Sequence, residues 1–119
     1  MEKNEFIERL RSVLETRSLY RNPDVDAFFV SELMEISEKE FNEMLLKFTG
    51  VKFNTYLFRL RIEKILIEVD KEIVHEPIGF YYKQSGFRSK TSFDRMFKEH
   101  TGLSLQHYIQ KIRSQNKGE

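Results

Sequence analysis

Apolar residues recur along this chain at the three- and four-residue spacing of amphipathic helices. The pattern predicts helices over residues 4–21, 25–36, 38–49, 53–69, 77–85, 90–101 and 105–113. Residues that favour turns and helix starts support these helix boundaries. Asn22-Pro23-Asp24 is a turn signal, and Pro77 suits the first turn of a helix. The sequence therefore predicts an all-α fold of about seven helices.

The most informative stretch runs from Gly86 to Gly102. Ser89 is a good N-cap, and Gly102 stands where a left-handed residue would end the helix. A Gly turn followed by a short, capped helix with a basic and hydrogen-bonding outer face is typical of a helix-turn-helix that enters the major groove of DNA. The apolar side of this helix holds Phe93, Met96 and Phe97, and the outer side holds Lys90, Thr91, Asp94, Arg95 and Lys98.

The same stretch occurs twice, at an offset of 52 residues. Residues 37–56 and 89–108 share six identities in twenty positions, where composition alone predicts roughly one. The first copy also has a capping box, Ser37 with Glu40. Two similar helical units in tandem are therefore expected. The identical pairs are Ser37 with Ser89, Phe41 with Phe93, Met44 with Met96, Thr49 with Thr101, Gly50 with Gly102 and Tyr56 with Tyr108.

These elements predict two helix-turn-helix subdomains joined by a long linker helix. At ~1.5 Å per residue, a linker helix of about 17 residues would be ~25 Å long. The N-terminal segment is expected to be either a domain element or a connector from an absent upstream domain. The predicted boundaries are 1–20 for that segment, 21–52 for the first unit, 53–70 for the linker, 71–113 for the second unit and 114–119 for a disordered tail.

Charge and composition narrow the function. The chain has no Cys and no membrane-length apolar run, which favours a cytoplasmic domain without membrane contact. The net charge is only +1, but residues 1–50 carry −4 and residues 51–119 carry +5. Within 83–98, five Lys and Arg face one Asp, and such a local basic patch is what phosphate binding requires.

The chain resembles the DNA-binding domain of AraC/XylS-type bacterial transcription factors over roughly residues 19–113. The resemblance rests on Gly86-Phe87, Phe93, Phe97-Lys98, Thr101-Gly102 and the linker pair Arg61-Ile62. It implies two helix-turn-helix units and regulation of transcription. It further implies double-stranded DNA as partner, RNA polymerase as a second partner, and an upstream sensor domain that is absent from this chain.

The resemblance also implies the residues that contact DNA. The second helix of each unit would enter a major groove, where Arg to guanine and Asn to adenine are the natural pairings. The base-facing candidates are Lys39, Asn42, Lys90, Thr91, Asp94 and Arg95, and the phosphate-contacting candidates are Ser37, Arg88, Ser89 and Lys98.

Three positions depart from the family pattern. Tyr82 and Ile65 stand where small residues are common, so we expect the Tyr82 ring to turn outward or its helix to shift. Glu35 replaces the turn glycine of the first unit, and residues 28–50 carry five Glu against two Lys. We therefore expect the second unit to supply most of the DNA affinity.

The sequence offers little support for an enzyme. His75, His100 and His107 lack a metal-ligand spacing, and the chain has no Gly-rich phosphate loop or nucleophile motif. The sequence thus predicts no enzyme, no metal and no cofactor. The remaining alternative is a degenerate helix-turn-helix pair that acts as a protein-protein docking module, which the near-neutral charge and the acidic first unit favour.

Overall fold

The computed structural model describes residues 1–72 and 74–117 of the chain. Its regular structure is entirely helical over these residues, which confirms the predicted all-α fold with seven α-helices. None of these helices combines the length and the apolar character needed to cross a bilayer. The helices are α1 (Lys3–Glu15), α2 (Ala27–Leu33), α3 (Glu38–Thr49), α4 (Phe53–Lys71), α5 (Ile78–Ser85), α6 (Lys90–Thr101) and α7 (Leu105–Lys117), with a 3₁₀ segment at Thr16–Arg21.

The chain divides into two compact units, unit 1 (Met1–Leu57) and unit 2 (Phe58–Glu119). The boundary falls inside α4, so the long helix is shared between the units and is not a separate segment between them. At the other end of the chain, α7 continues to Lys117. Residues 114–117 are therefore helical, where a disordered tail was expected, while 118 and 119 lie outside the described residues.

Unit 1 is built around the inner faces of α1, α2 and α3. Phe6, Leu10 and Leu14 of α1 are fully buried, and the Phe6 ring lies 5.8 Å from that of Phe41 on α3. The Arg9 guanidinium also donates to the carbonyl of Met34 at 2.9 Å, just after α2 ends. The N-terminal helix thus packs into the core of unit 1.

Unit 2 has its own aromatic core. Tyr81 of α5 and Phe93 and Phe97 of α6 are at most 1% exposed, and they pack with the buried side of α4. The rings of Phe93 and Phe97 stack with their centroids 5.9 Å apart. The remaining core residues are Ile62, Ile65, Val69, Phe87, Leu105 and Ile109. Ile65, which replaces a residue that is small in the family pattern, is accommodated within this core.

Candidate nucleic-acid interface

In unit 2 the two helices α5 and α6 form a helix-turn-helix. Gly86 ends α5 with a φ of 88°, a left-handed conformation that glycine adopts without the steric cost of a Cβ. The Ser89 Oγ then accepts a hydrogen bond from the Ser92 N–H at 3.3 Å, which caps the start of α6. Both signals were predicted from the sequence, and both are confirmed.

Helix α6 has one anchored face and one exposed face. Phe93 and Phe97 hold the inner face in the core, which fixes the rotation of the helix about its axis. At its end, the Gly102 N–H donates to the Lys98 carbonyl at 2.7 Å. The exposed face presents all the predicted base-facing residues of this unit, Lys90, Thr91, Asp94 and Arg95, together with Lys98.

The turn before α6 is braced by two side chains of α5. The Ser85 hydroxyl is buried, donates to the Tyr82 carbonyl at 2.6 Å and accepts from the Phe87 N–H at 3.2 Å. The Tyr82 hydroxyl donates to the Arg88 carbonyl at 3.2 Å, at the surface of the molecule. The Tyr82 ring itself is half-buried and packs edge-on against the core residue Phe93, with the ring centroids 5.9 Å apart.

A buried cation connects α4 to the same turn. The Arg61 side chain is 3% exposed, and its guanidinium carbon lies 5.7 Å from the ring centroid of Phe58 and 5.5 Å from that of Phe87. Burial lowers the pKa of Arg61 to about 10, which leaves it positively charged at neutral pH. A desolvated cation over aromatic faces contributes about 2 kcal/mol, so this contact helps to fix Phe87 and the turn.

The start of α5 is fixed by a buried phenol. The Tyr81 hydroxyl donates to the Glu72 carboxylate and accepts from the Glu76 N–H at 3.1 Å. Burial and the neighbouring Glu72 raise the pKa of Tyr81 to about 12, because both disfavour the phenolate. Tyr81 therefore stays protonated as a donor at any physiological pH and ties α5 to the segment that follows α4.

Unit 1 contains the second helix-turn-helix, formed by α2 and α3. The Asp26 carboxylate caps α2 by accepting from the Phe29 N–H at 2.8 Å, and Ser37 caps α3 by accepting from the Glu40 N–H at 3.0 Å. Glu35 occupies the turn with a φ of 59°. The left-handed residue stands two positions before the cap here but three positions before it in unit 2, although four residues separate the two helices in both units.

The outer face of α3 differs in chemistry from that of α6. Phe41 and Leu45 are buried, which leaves Lys39 and Asn42 exposed as predicted. Apart from Lys47 in the last turn, the other exposed side chains of this helix are three carboxylates and a large aliphatic side chain, Glu38, Glu40, Glu43 and Leu46. This face is thus acidic and partly apolar.

All ten predicted DNA-contacting residues lie on the surface, in two groups. Lys39, Asn42 and the cap Ser37 belong to unit 1, and the others belong to unit 2. Sequence reasoning missed the supporting residues Arg61 and Ser85. The sequence pattern places Arg61 on the polar side of the linker helix and in the linker motif, whereas the structure buries it.

Two capped helix-turn-helix motifs, each presenting its second helix to solvent, define the chain as a tandem helix-turn-helix protein. Residues 30–111 match the sequence model of a helix-turn-helix domain family, and the chain belongs to this AraC-type family. The family comprises DNA-binding transcription regulators and is not enzymatic. The resemblance inferred from the sequence is thereby confirmed.

Solved structures show the same fold. The C-terminal domain of AraT, a response regulator from Geobacillus stearothermophilus, is similar with a TM-score of 0.72 and 19% identity, over 89% of this chain and 84% of that one. The C-terminal domain of the two-component response regulator yesN from Fusobacterium nucleatum has a TM-score of 0.70 and 22% identity, over 86% of this chain and 95% of that one. No curated protein sequence matches the chain significantly.

Proposed function

We propose that this chain binds specific sequences of double-stranded DNA, with α3 and α6 entering successive major grooves, and thereby regulates transcription. The observation that carries the proposal is the exposed face of α6. Four side chains able to contact bases stand on a helix that Phe93 and Phe97 anchor from behind. A rigid helix with a basic, hydrogen-bonding outer face suits direct readout in a major groove.

The roles of the side chains follow from their chemistry. Arg95 can form a bidentate pair with guanine, and Asn42 can do the same with adenine. Lys39, Lys90, Thr91 and Asp94 would complete the base contacts. Ser37 and Ser89 use a lone pair to cap their helices, so their hydroxyl protons can be donated to phosphate oxygens. Arg88 and Lys98 would contact phosphates by charge.

We also propose that the chain acts as the output part of a larger regulator. Both similar structures are C-terminal domains of response regulators, which supports a separate upstream sensor part. RNA polymerase is the partner that an output domain of this kind would engage. The absence of Cys fits a cytoplasmic setting.

Selection of bound duplexes from a randomised DNA pool at low salt tests the proposal. Two enriched blocks about one helical turn, ~34 Å, apart are expected if both units read bases. A single block would restrict base readout to one unit. A pool without any enriched sequence, with binding abolished by modest salt, would overturn sequence-specific recognition.

A second candidate function, protein docking, has its own support in unit 1. Helix α2 exposes three large apolar side chains, Phe28, Phe29 and Leu33, which are 45–53% accessible. Phe29 and Leu33 also line a groove of about 470 Å³ together with Val13 and Leu19. Clustered exposed apolar side chains mark interaction surfaces. Charged substitutions such as Phe28→Glu should leave duplex binding unchanged if this surface serves docking alone.

A further inference from the structure

One outer stripe of α3 is formed by Glu38, Asn42 and Leu46, which are four residues apart and therefore follow one another along the helix. All three line a single open cavity of about 630 Å³ in unit 1. The start of α2 bounds this cavity, and so do Lys52 and Thr55 near the start of α4. The stripe thus borders an open, solvent-accessible part of the surface of unit 1.

Leu46 is unusual on this stripe. Its side chain is 52% exposed, while the neighbouring Leu45 is 1% exposed and fills the core. Packing of unit 1 therefore does not explain an aliphatic residue at position 46. At the equivalent position of unit 2, 52 residues on, the side chain is the cation of Lys98. The two units thus present different chemistry at the same place.

The major groove offers a specific apolar partner for such a side chain. Thymine carries a C5 methyl group there, and apolar side chains contact it, while Asn pairs with the N6 and N7 edge of adenine. Residues four apart on a helix have Cβ atoms about 5–6 Å apart, and successive bases along a strand are about 3.4 Å apart. Asn42 and Leu46 can therefore reach A·T pairs that are neighbours or next neighbours.

We infer that unit 1 reads A·T pairs, with Leu46 packing on a thymine methyl group and Asn42 pairing with a nearby adenine. This inference rests on the proposed function. It assigns to unit 1 a base contact that is compatible with its acidic surface. Glu38, Glu40 and Glu43 disfavour close phosphate approach, but contact with a methyl group requires no positive charge. The contribution of unit 1 is then selectivity for particular bases.

The decisive experiment removes one methyl group from the DNA. After selection of a preferred duplex with the full chain, each thymine is replaced in turn by uracil, which keeps the base pair and lacks only the C5 methyl. At one position the replacement should weaken binding about four-fold, the value expected for one buried methyl group. The Leu46→Ala variant should bind the thymine and uracil duplexes equally at that position.

Leu33→Ala is the matched control, because Leu33 is 51% exposed and lies on α2, away from the stripe. It should retain the full preference for thymine over uracil. The inference is wrong if no thymine replacement affects binding, or if Leu46→Ala retains the preference; specific recognition by the chain would stand in both cases. Failure to enrich any duplex in the selection would overturn the proposed function and this inference together.

Discussion

Ser85 and Ser31 are both 1% exposed and lie in the first helix of their motifs, but their hydrogen bonds differ. Ser85 donates to the Tyr82 carbonyl and also accepts from the buried Phe87 N–H in the turn. Ser31 donates to the Phe28 carbonyl at 2.7 Å. The turn of unit 2 thus depends on the Ser85 hydroxyl as a hydrogen-bond acceptor, a role that helix propensity does not describe.

Substitution of Ser85 by Ala should therefore lower the free energy of unfolding by about 1–3 kcal/mol, because the Phe87 N–H stays buried without its Oγ acceptor. The matched variant Ser31→Ala removes a donor to a helical carbonyl and gains helix propensity, so its change should stay within about 0.5 kcal/mol. Urea unfolding followed by far-ultraviolet circular dichroism measures both. An equal or larger loss for Ser31→Ala would contradict this assignment.

At the scale of elements, the turn of unit 1 stores strain that the turn of unit 2 avoids. Glu35 has a φ of 59°, which is costly for a residue with a Cβ. Two hydrogen bonds compensate in a Schellman arrangement, Ile36 N–H to the Ser31 carbonyl at 3.1 Å and Glu35 N–H to the Glu32 carbonyl at 3.0 Å. The helix end is formed correctly, although without the residue best suited to it.

Replacing Glu35 by Gly should therefore stabilise the protein. Relief of the left-handed strain is worth about 1–2 kcal/mol, and the greater freedom of Gly in the unfolded chain offsets part of it, which leaves a net gain of about 0.5–1 kcal/mol. The midpoint of urea unfolding should rise accordingly. Gly86→Ala is the reverse control. It should lower the midpoint of urea unfolding, because a residue with a Cβ would then have to adopt the φ of 88°. A fall in stability for Glu35→Gly would contradict the strain argument.

The elements that carry their own end signals were predictable from the sequence. Helix α3 spans 38–49 as predicted, between Ser37 and Gly50, and the interval from Ser89 to Gly102 likewise gives α6. The predicted 25–36 helix is shorter, Ala27–Leu33, because Asp26 caps it late and Glu35 adopts a left-handed conformation that Glu rarely takes. The local sequence pattern does not reveal that Glu35 adopts this conformation.

Contacts between residues far apart in the sequence could not be predicted from the local pattern either. The burial of Arg61 depends on Phe87, 26 residues further along the chain, and no local periodicity links the two. The exposed faces of α3 and α6 were predictable for the opposite reason. Once the apolar stripes are assigned to the core, the polar positions between them have to face solvent.

At the scale of the whole molecule, charge is divided between the units. Unit 1 holds eight Lys and Arg against eleven Asp and Glu, and unit 2 holds twelve against eight. Phosphate contacts dominate the affinity of most DNA-binding proteins and depend on local positive charge. Unit 2 should therefore supply most of the binding free energy, while unit 1 adds selectivity.

A pair of charge reversals tests this division. Arg95→Glu and Lys39→Glu each change the net charge by two, so any difference between them reports position and not total charge. Arg95→Glu should weaken duplex binding by about a hundred-fold. It removes a base contact worth about 1–3 kcal/mol, and the new carboxylate is repelled by the DNA phosphates. Lys39→Glu acts on a face that is already acidic, and its loss should stay below about ten-fold. Titrations of the selected duplex at several salt concentrations measure both effects, and a larger loss for Lys39→Glu would place the main affinity in unit 1.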